Sequence, residues 1–139
     1  MPAAALPLPQ RSSPRVSPWL WRLLAAAVAL AVFLGHLWPV FHGFRGGKGV
    51  ATAAGVFFAI DPLLGLGALA TWCVMLFFFR ISSLSALVTA LFAPLWFWLL
   101  FGLQPMLLAV LLIAALLLWR HRANIGRLLR GEEKRVGNR

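Results

Sequence analysis

Acidic residues are scarce in this 139-residue chain. The chain has three acidic residues, Asp61, Glu132 and Glu133, compared with thirteen lysines and arginines, and its formal net charge is +10. So few carboxylates argue against a Mg²⁺ or Ca²⁺ site, which needs several of them as ligands, and against chemistry that depends on paired carboxylates. The excess of positive charge predicts anionic partners, such as lipid headgroups, phosphate-bearing substrates or nucleic acid.

The sequence also has little that could hold a disulfide or a transition metal. Its single cysteine, Cys73, lies in an apolar run, which excludes an intrachain disulfide framework and a CxxC redox pair. The three histidines, His36, His42 and His121, lack the spacing of zinc ligands and have no carboxylate near them in sequence. We therefore predict no metal site and no cofactor, and we interpret Cys73 as a packing residue.

Hydrophobic residues, by contrast, make up 62% of the chain, and charged residues only 12%. Soluble domains are about 45–50% apolar and about 25% charged, so a soluble globule of this composition would expose too much apolar surface. A disordered chain is excluded as well, because it needs low hydrophobicity. One membrane-spanning helix takes roughly 20 apolar residues. The predicted fold class is therefore an all-α, polytopic integral membrane helical bundle.

The number of crossings depends on whether Asp61-Pro62 is a turn or a kink. A turn places Arg45, Lys48 and Arg80 on one face together with every charge after residue 119, and the positive-inside rule makes that face cytoplasmic. We therefore predict about five transmembrane helices, of which the second, with a length of about 17 Å, is short. The apolar segments are residues 23–41, 50–60, 63–79, 84–101 and 103–119.

The first 18 residues differ in composition from the rest. Residues 1–18 are rich in Pro, Ser and Arg and lack apolar periodicity, which predicts a disordered tail before a membrane domain at 19–139. Arg11, Arg15 and Arg22 precede an apolar run as in a secretory signal, but no cleavage site follows, so we expect a retained helix. These arginines would lie on the outer face. Either another membrane segment precedes residue 19, or residues 1–18 are not the natural beginning.

A glycine-rich basic segment, HGFRGGKGVAT at residues 42–52, precedes a predicted helix. Glycine lets the backbone approach a ligand closely, and a helix N-terminus offers unpaired N–H groups to a phosphate. Lys48 would add a charge, and Thr52 a hydroxyl in the first turn. No Ser or Thr follows Lys48, so this is not a Walker A loop. These residues alone favour neither phosphate binding nor a flexible loop whose charges only set topology.

A second polar cluster, RHRANIGRL at residues 120–128, follows the last apolar segment. If the helix continues through it, Arg120, Asn124 and Arg127 lie on one stripe, with His121 at its edge. The stripe predicts an anion-binding face at the membrane surface. The alternative is a basic juxtamembrane tail that binds anionic lipid.

Two further polar groups lie in or beside apolar segments. His36, after Gly35, is an imidazole within a membrane segment and so a functional candidate, although a histidine hydrogen-bonded between helices is the commoner case. Ser82, Ser83 and Ser85 are interpreted as helix-capping residues, because nothing in the sequence pairs them with a base.

The segments GHLWPVFHGFRGGKGVAT (35–52) and RHRANIGRLLRGEE (120–133) resemble the bacterial acyl-phosphate:glycerol-3-phosphate acyltransferases, the PlsY family. The resemblance covers roughly residues 20–139. It implies a multi-pass enzyme of the bacterial inner membrane with its active site facing the cytoplasm. Such an enzyme transfers a fatty acyl group from acyl phosphate to the 1-hydroxyl of sn-glycerol 3-phosphate, and it yields lysophosphatidic acid and phosphate.

The resemblance also implies site residues and partners. Residues matched to catalytic positions are Lys48, His121 and Asn124. Residues matched to phosphate-binding elements are Gly46, Gly47, Gly49, Thr52 and Arg127. Candidates for support of the site are Gly35, His36, Arg45 and Arg120. The implied partners are both substrates, membrane lipids and the enzyme that produces acyl phosphate, with no nucleic acid.

We expect the mechanism to rest on positioning and electrostatics, without a covalent acyl-enzyme. The three acids lie in the outer turn and the distal tail, so no carboxylate is expected beside the two motifs. The proton of the glycerol hydroxyl would pass to a substrate phosphate or to His121.

One departure from the family is the lack of its earlier Ser-Gly-Asn-x-Gly-Ala-Thr-Asn motif, which nothing in residues 1–22 resembles. The family has seven crossings, so the chain is expected to represent the last five. This leaves two alternatives to the enzyme. One is a non-catalytic membrane protein whose basic face binds anionic lipid or a partner. The other, a small anion-transporting bundle, is disfavoured because the polar groups cluster on one face.

Overall fold

The computed structural model describes residues 17–137, and within this range the regular structure is entirely helical. A 3-10 turn at Val40–His42 follows the first helix. The α-helices are α1 Pro18–Leu37, α2 Val50–Ile60, α3 Pro62–Phe79, α4 Ser82–Phe101, α5 Pro105–Arg120 and α6 Arg122–Leu129.

Three of these helices, α1, α3 and α4, have the length and apolar composition of a membrane span. A fourth span results if α5 and α6, which are bent by 57° relative to each other, count together. Helix α2 has 11 residues and is the short apolar helix. The prediction of an all-α integral membrane bundle is confirmed. Against the predicted number of about five transmembrane helices, three or four of the described helices qualify as spans, and α2 is the short one.

The turn at Asp61-Pro62 separates α2 from α3, as predicted. Asp61 is extended (φ −163°), and its Oδ1 accepts a 2.7 Å hydrogen bond from the backbone N–H of Leu63. Pro62 occupies the first helical position, where its missing N–H costs nothing. Asp61 thus ends α2 with its extended backbone and caps α3 with its side chain, and α3 turns back toward the end of the bundle that holds Lys48.

The core lies where α1, α2, α3, α4 and α5 meet. Its largest buried side chains include Phe33, Leu37, Phe57 and Ile113. Many of the remaining core positions are alanines, which let apolar helices approach closely. Most other large apolar side chains are exposed on the periphery of the bundle, as expected for surfaces that face lipid.

The predicted disordered tail lies almost entirely outside the described residues, since residues 1–16 precede them. Helix α1 already begins at Pro18, the last residue assigned to that tail. The domain boundary at residue 19 stays a prediction.

Candidate active site

The two sequence motifs meet at one end of the bundle, where the last long helix is interrupted at His121. The backbone N–H of His121 is shared between the carbonyls of Leu117 and Leu118, at 3.0 and 3.1 Å, and α6 then leaves at 57° to α5. The predicted continuous stripe is therefore wrong. Because of the break, Arg120 faces the glycine-rich loop while Asn124 faces the C-terminal segment.

A cavity of about 240 Å³ at this end brings the three predicted catalytic residues together. Lys48, His121 and Asn124 all line it, from the glycine-rich loop, the helix break and α6. Four other polar residues line it too, none of which the sequence had assigned to a site: Ser82, Ser83, Glu133 and Lys134.

Three helix N-termini converge on this cavity. Val50 begins α2, Ser82 begins α4, and His121 precedes α6. The first N–H groups of a helix have no intrahelical partner, and the helix dipole makes that end positive. Together with the charges of Lys48 and Lys134, this arrangement suits an anion such as a phosphate group.

Arg120 holds the glycine-rich loop in place through the loop carbonyls. Its Nη2 donates to the carbonyl oxygens of Gly46 and Gly47 at 2.7 and 2.9 Å, and its Nε to that of Gly47 at 3.2 Å. The guanidinium also lies 5.9 Å from the ring centroid of Trp38, within range of a cation–π contact. In a trans peptide the N–H points opposite to the C=O, so the amides of Gly47 and Lys48 face away from Arg120.

Close packing of the loop against α1 explains two of its glycines. A Cβ on Gly46 would collide with the backbone carbonyls of His36 and Leu37. Gly49 has φ +84°, and a Cβ there would lie 2.6 Å from the Phe33 ring. Glycine is required at both positions, and Gly49 adopts its left-handed conformation directly before α2.

The imidazole of His121 is buried and oriented. The residue is 2% exposed, and Nδ1 lies 2.8 Å from the carbonyl oxygen of Leu117. A carbonyl only accepts, so Nδ1 carries the proton and the neutral ring keeps a lone pair on Nε2. The buried ring therefore has one nitrogen fixed by the protein and one available to a ligand.

Glu133 is one of the cavity residues that the sequence analysis did not assign to the site. Its Oε1 accepts hydrogen bonds from Ser83 Oγ and Asn124 Nδ2, both at 2.6 Å, and its Oε2 accepts one from Arg127 Nε at 2.6 Å. Burial alone would raise the pKa of Glu133. The hydrogen bonds from Ser83, Asn124 and Arg127, with the charge of Arg127, outweigh burial and lower the pKa to about 2.

The expectation that no carboxylate lies beside the motifs is therefore wrong. The chain reverses at Gly131 (φ +71°), where the N–H of Glu132 bonds to the carbonyl of Arg127 and the N–H of Gly131 to that of Leu128. This is the Schellman pattern of a helix C-terminus. A glycine after a helical stretch was the available signal in the sequence.

The serines in the first turn of α4 do not cap it, contrary to prediction. Ile81 is the N-cap residue, and no side chain of the described residues caps the helix. Ser83 instead donates to Glu133, and Ser85 donates to the carbonyl of Ile81 at 2.9 Å. The Ser83 hydroxyl therefore bonds to the carboxylate of Glu133, fifty residues away, and not to the helix N-terminus.

The other predicted site residues lie outside the cavity. Thr52 faces a separate apolar groove beside α1, and Arg127 pairs with Glu133 at the rim. Gly35, His36 and Arg45 are exposed, with the His36 ring packed beside Gly47.

Comparison with known proteins gives a consistent result. The profile of the family described as glycerol-3-phosphate acyltransferase matches residues 6–131. A glycerol-3-phosphate acyltransferase of Cupriavidus metallidurans is 60% identical over 114 residues, which are 82% of this chain and 56% of that protein. One of Cupriavidus pinatubonensis is 63% identical, with the same coverage of each chain. This chain thus spans little more than half the length of these curated relatives.

Solved structures agree in fold. A crystal structure of PlsY (YgiH), an integral membrane glycerol 3-phosphate acyltransferase, in its glycerol 3-phosphate form, matches with a TM-score of 0.77 and 37% identity. The match covers 86% of this chain and 65% of that one. The lysophosphatidic acid form gives the same TM-score and identity, and the match covers 66% of its chain. On the profile match and these similarities, the chain belongs to the glycerol-3-phosphate acyltransferase family.

Proposed function

We propose that the chain catalyses acyl transfer from acyl phosphate to the 1-hydroxyl of sn-glycerol 3-phosphate, giving lysophosphatidic acid and phosphate. The observation that carries the proposal is the cavity in which Lys48, His121 and Asn124 meet at three helix N-termini. Support for the acceptor and the product comes from similar proteins, named as glycerol-3-phosphate acyltransferases and solved in a glycerol 3-phosphate form and a lysophosphatidic acid form.

Both substrates carry phosphate, and the site offers two cationic regions. The Lys48 side chain and the backbone N–H groups of the loop between Gly47 and Gly49 would hold one phosphate at the start of α2. Arg120 positions this loop through the carbonyls of Gly46 and Gly47. Lys134 and the start of α4 would face the second phosphate. Thr52 and Arg127 remain predicted phosphate contacts, although their neighbours here are an apolar groove and Glu133.

The reaction needs a proton acceptor and a stabilised oxyanion. The 1-hydroxyl oxygen attacks the acyl carbonyl carbon while His121 Nε2 takes the hydroxyl proton, because Nδ1 is already committed to Leu117. The bond from the carbonyl carbon to the phosphate oxygen then breaks, and the leaving phosphate takes the electron pair and finally the proton. Asn124, held by Glu133, would offer its second amide hydrogen to the developing oxyanion.

We place this site at the cytoplasmic face of the bacterial inner membrane. Arg45, Lys48, Arg80 and the cations after residue 119 lie at the end of the bundle that carries the cavity, and positive charge marks cytoplasmic segments. The opposite end carries Arg22 and Gln104. The same basic face would meet anionic lipid and the enzyme that supplies acyl phosphate; nucleic acid is not a proposed partner.

The test uses the full chain reconstituted in lipid, supplied with acyl phosphate and glycerol 3-phosphate. We expect lysophosphatidic acid to form, and the Lys48→Ala variant to lose that product. Arg135→Ala, which removes an exposed cation outside the cavity, is the matched control and should retain it. No product from the unaltered chain would favour the non-catalytic alternative. Turnover that survives His121→Gln but not Lys48→Ala would exclude His121 as the base.

A further inference from the structure

An apolar turn follows α1 at the end of the bundle that carries Lys48. It comprises residues 39–45, and we call it the tip. Phe41 is 97% exposed, and Val40 and Phe44 are largely exposed as well. Exposed apolar side chains that are clustered in this way mark an interaction surface, so the tip needs an apolar partner in a region that is otherwise rich in positive charge.

The backbone of the tip is fixed and strained. The N–H groups of His42 and Phe44 both donate to the carbonyl oxygen of Pro39, at 3.1 and 3.0 Å. Phe44 has φ +58°, directly after Gly43 with the same φ. A left-handed backbone is uncommon for a bulky residue, and such strain persists mainly at functional sites, where the surrounding structure holds it. The tip is therefore a defined turn that keeps its phenylalanines exposed.

The tip continues directly into the glycine-rich loop. The N–H of Arg45 donates to the carbonyl of His42 at 3.2 Å. The next residue is Gly46, whose carbonyl accepts a hydrogen bond from Arg120. Gly46 also packs so closely on α1 that a Cβ would collide with the backbone of that helix. Because the two segments are joined and held in this way, the height of the tip relative to the membrane fixes the height of the loop that carries Lys48.

Tryptophan and arginine side chains adjoin the tip. Trp38, which directly precedes it, lies 5.9 Å from Trp119 between ring centroids, and the Arg122 guanidinium lies 4.8 Å from the Trp119 ring. Tryptophan is enriched at membrane–water interfaces, and arginines there attract anionic headgroups. Arg45, within the tip, is exposed and belongs to neither ion pair of the described residues. The tip thus matches an anionic headgroup layer in charge and the acyl layer beneath it in polarity.

We infer that the tip inserts Phe41 and Phe44 into the boundary between headgroups and acyl chains of an anionic leaflet, with Arg45 facing a lipid phosphate. Segments with an apolar and a basic face lie about 5–10 Å deep in that boundary. This placement rests on the proposed cytoplasmic membrane face and does not depend on acyl transfer. The bilayer then acts as a partner that holds the glycine-rich loop at a fixed height over the membrane.

The first test measures the depth of the tip with a nitroxide on the full chain in lipid discs that contain phosphatidylglycerol. The label is placed on Val40→Cys in a Cys73→Ala background, which keeps both phenylalanines. Cys73 of the unaltered chain, exposed on α3, is the reference within the bilayer. Arg135→Cys in the same background is the aqueous reference.

We expect the label at residue 40 to collide more often with dissolved oxygen than with a water-soluble nickel chelate, as the label at Cys73 does. The label at residue 135 should show the opposite preference. A label at residue 40 that behaves like the one at 135 would overturn the inference. Shielding from both reagents would overturn it too, because a protein surface would then cover the tip.

The second test removes the apolar groups. Burying one phenylalanine side chain is worth about 1.5–3 kcal/mol, so Phe41→Ser with Phe44→Ser should shift the tip toward water by more than about tenfold. Nickel collisions at residue 40 should rise to the level at residue 135. Leu129→Ser, which removes an exposed apolar group at the end of α6, is the matched control and should change nothing. An equal response to both changes, or none to either, would contradict insertion.

The third test concerns the lipid charge. Arg45→Gln should raise the ratio of aqueous to inserted tip about fivefold in phosphatidylglycerol discs, and it should have no such effect in phosphatidylcholine discs. Arg135→Gln removes an exposed cation outside the tip and should have no effect in either lipid. A response to Arg45→Gln that is the same in both lipids, or absent from both, would show that this side chain does not face a lipid phosphate.

Failure of this inference can be told apart from failure of the proposed function, because label depth needs no turnover. An inserted tip in a chain that forms no lysophosphatidic acid would contradict the proposed function alone. An aqueous tip in an active chain would contradict the inference alone. The helical circular dichroism and the unfolding midpoint report that each variant is folded. If the double serine variant fails that check, Phe41→Ser alone replaces it, since that side chain is almost fully exposed.

Discussion

Glu133 and Asn124 lie 2.6 Å apart, Oε1 to Nδ2, across the reversal of the chain at Gly131. The contact fixes which way the Asn124 amide faces in the cavity. It also anchors the C-terminal segment, whose Val136 N–H bonds to the carbonyl of Arg80 at 2.6 Å. Glu133, which lies in the segment after α6 and outside every helix, therefore organises the polar end of the bundle.

Replacing this carboxylate should impair the reaction more than the fold. We expect Glu133→Gln to lower kcat about ten- to a hundredfold, because hydrogen bonds to a charged group contribute about 1.5–3 kcal/mol. Steady-state kinetics measure the loss. Glu132→Gln, which breaks only the exposed pair with Arg130, is the control, and an equal loss in both variants would contradict the role of Glu133.

The depressed pKa of Glu133 predicts an acid-sensitive C-terminal segment. Because the folded pKa is about 2 and the reference value is 4.5, the carboxylate's contribution is complete above about pH 4.5 and is lost as the pH falls toward about 2. Hydrogen exchange at the Glu132 and Val136 amides, corrected for intrinsic rates, should show protection declining across that window. Protection of equal size at both ends of the window would contradict this assignment.

Arg120 should act through the loop that it holds. Arg120→Lys keeps the charge but loses the fork that spans two carbonyls, so we expect KM to rise roughly tenfold for the substrate whose phosphate binds the loop, either glycerol 3-phosphate or acyl phosphate. Arg122 is a matched control, because its guanidinium lies over Trp119 on the exposed side. Arg122→Lys should leave KM within about twofold; equal changes in both variants would mean that loop positioning is not the cause.

Alanine substitutions at two glycines of the same region should change the stability of the protein in opposite directions. Gly49→Ala forces a Cβ into Phe33 at a positive φ, and we expect it to destabilise the protein by about 1–3 kcal/mol. Gly55 lies within α2 with open space around its Cβ position, so Gly55→Ala should stabilise by about 0.5–1 kcal/mol. Unfolding in mixed micelles measures both. Destabilisation by Gly55→Ala, or none by Gly49→Ala, would contradict the described loop geometry.

The features predictable from sequence were those set by local chemistry. Asp61-Pro62 carries a capping side chain and a residue suited to the first helical turn, so it marked a helix start. The glycines before Val50 indicated a tight loop at a helix N-terminus. In both cases neighbouring residues determine the structure.

The features that escaped prediction depend on distant parts of the chain. Nothing in residues 120–128 forces a break at His121, and Asn124 could continue a helix. Glu133 reaches the site only because Gly131 reverses the chain and Ser83, fifty residues away, offers a hydroxyl. The direction of Thr52 follows from how α2 packs on α1, which its position in the first turn does not determine.

The central claim is that this cavity transfers an acyl group to glycerol 3-phosphate. Its most direct test is the ratio of lysophosphatidic acid formed to phosphate released, measured on the full chain in lipid with acyl phosphate, with and without glycerol 3-phosphate. The account predicts equal amounts of the two products, with both absent when glycerol 3-phosphate is withheld. Phosphate released without lysophosphatidic acid, or neither product when both substrates are present, would contradict it.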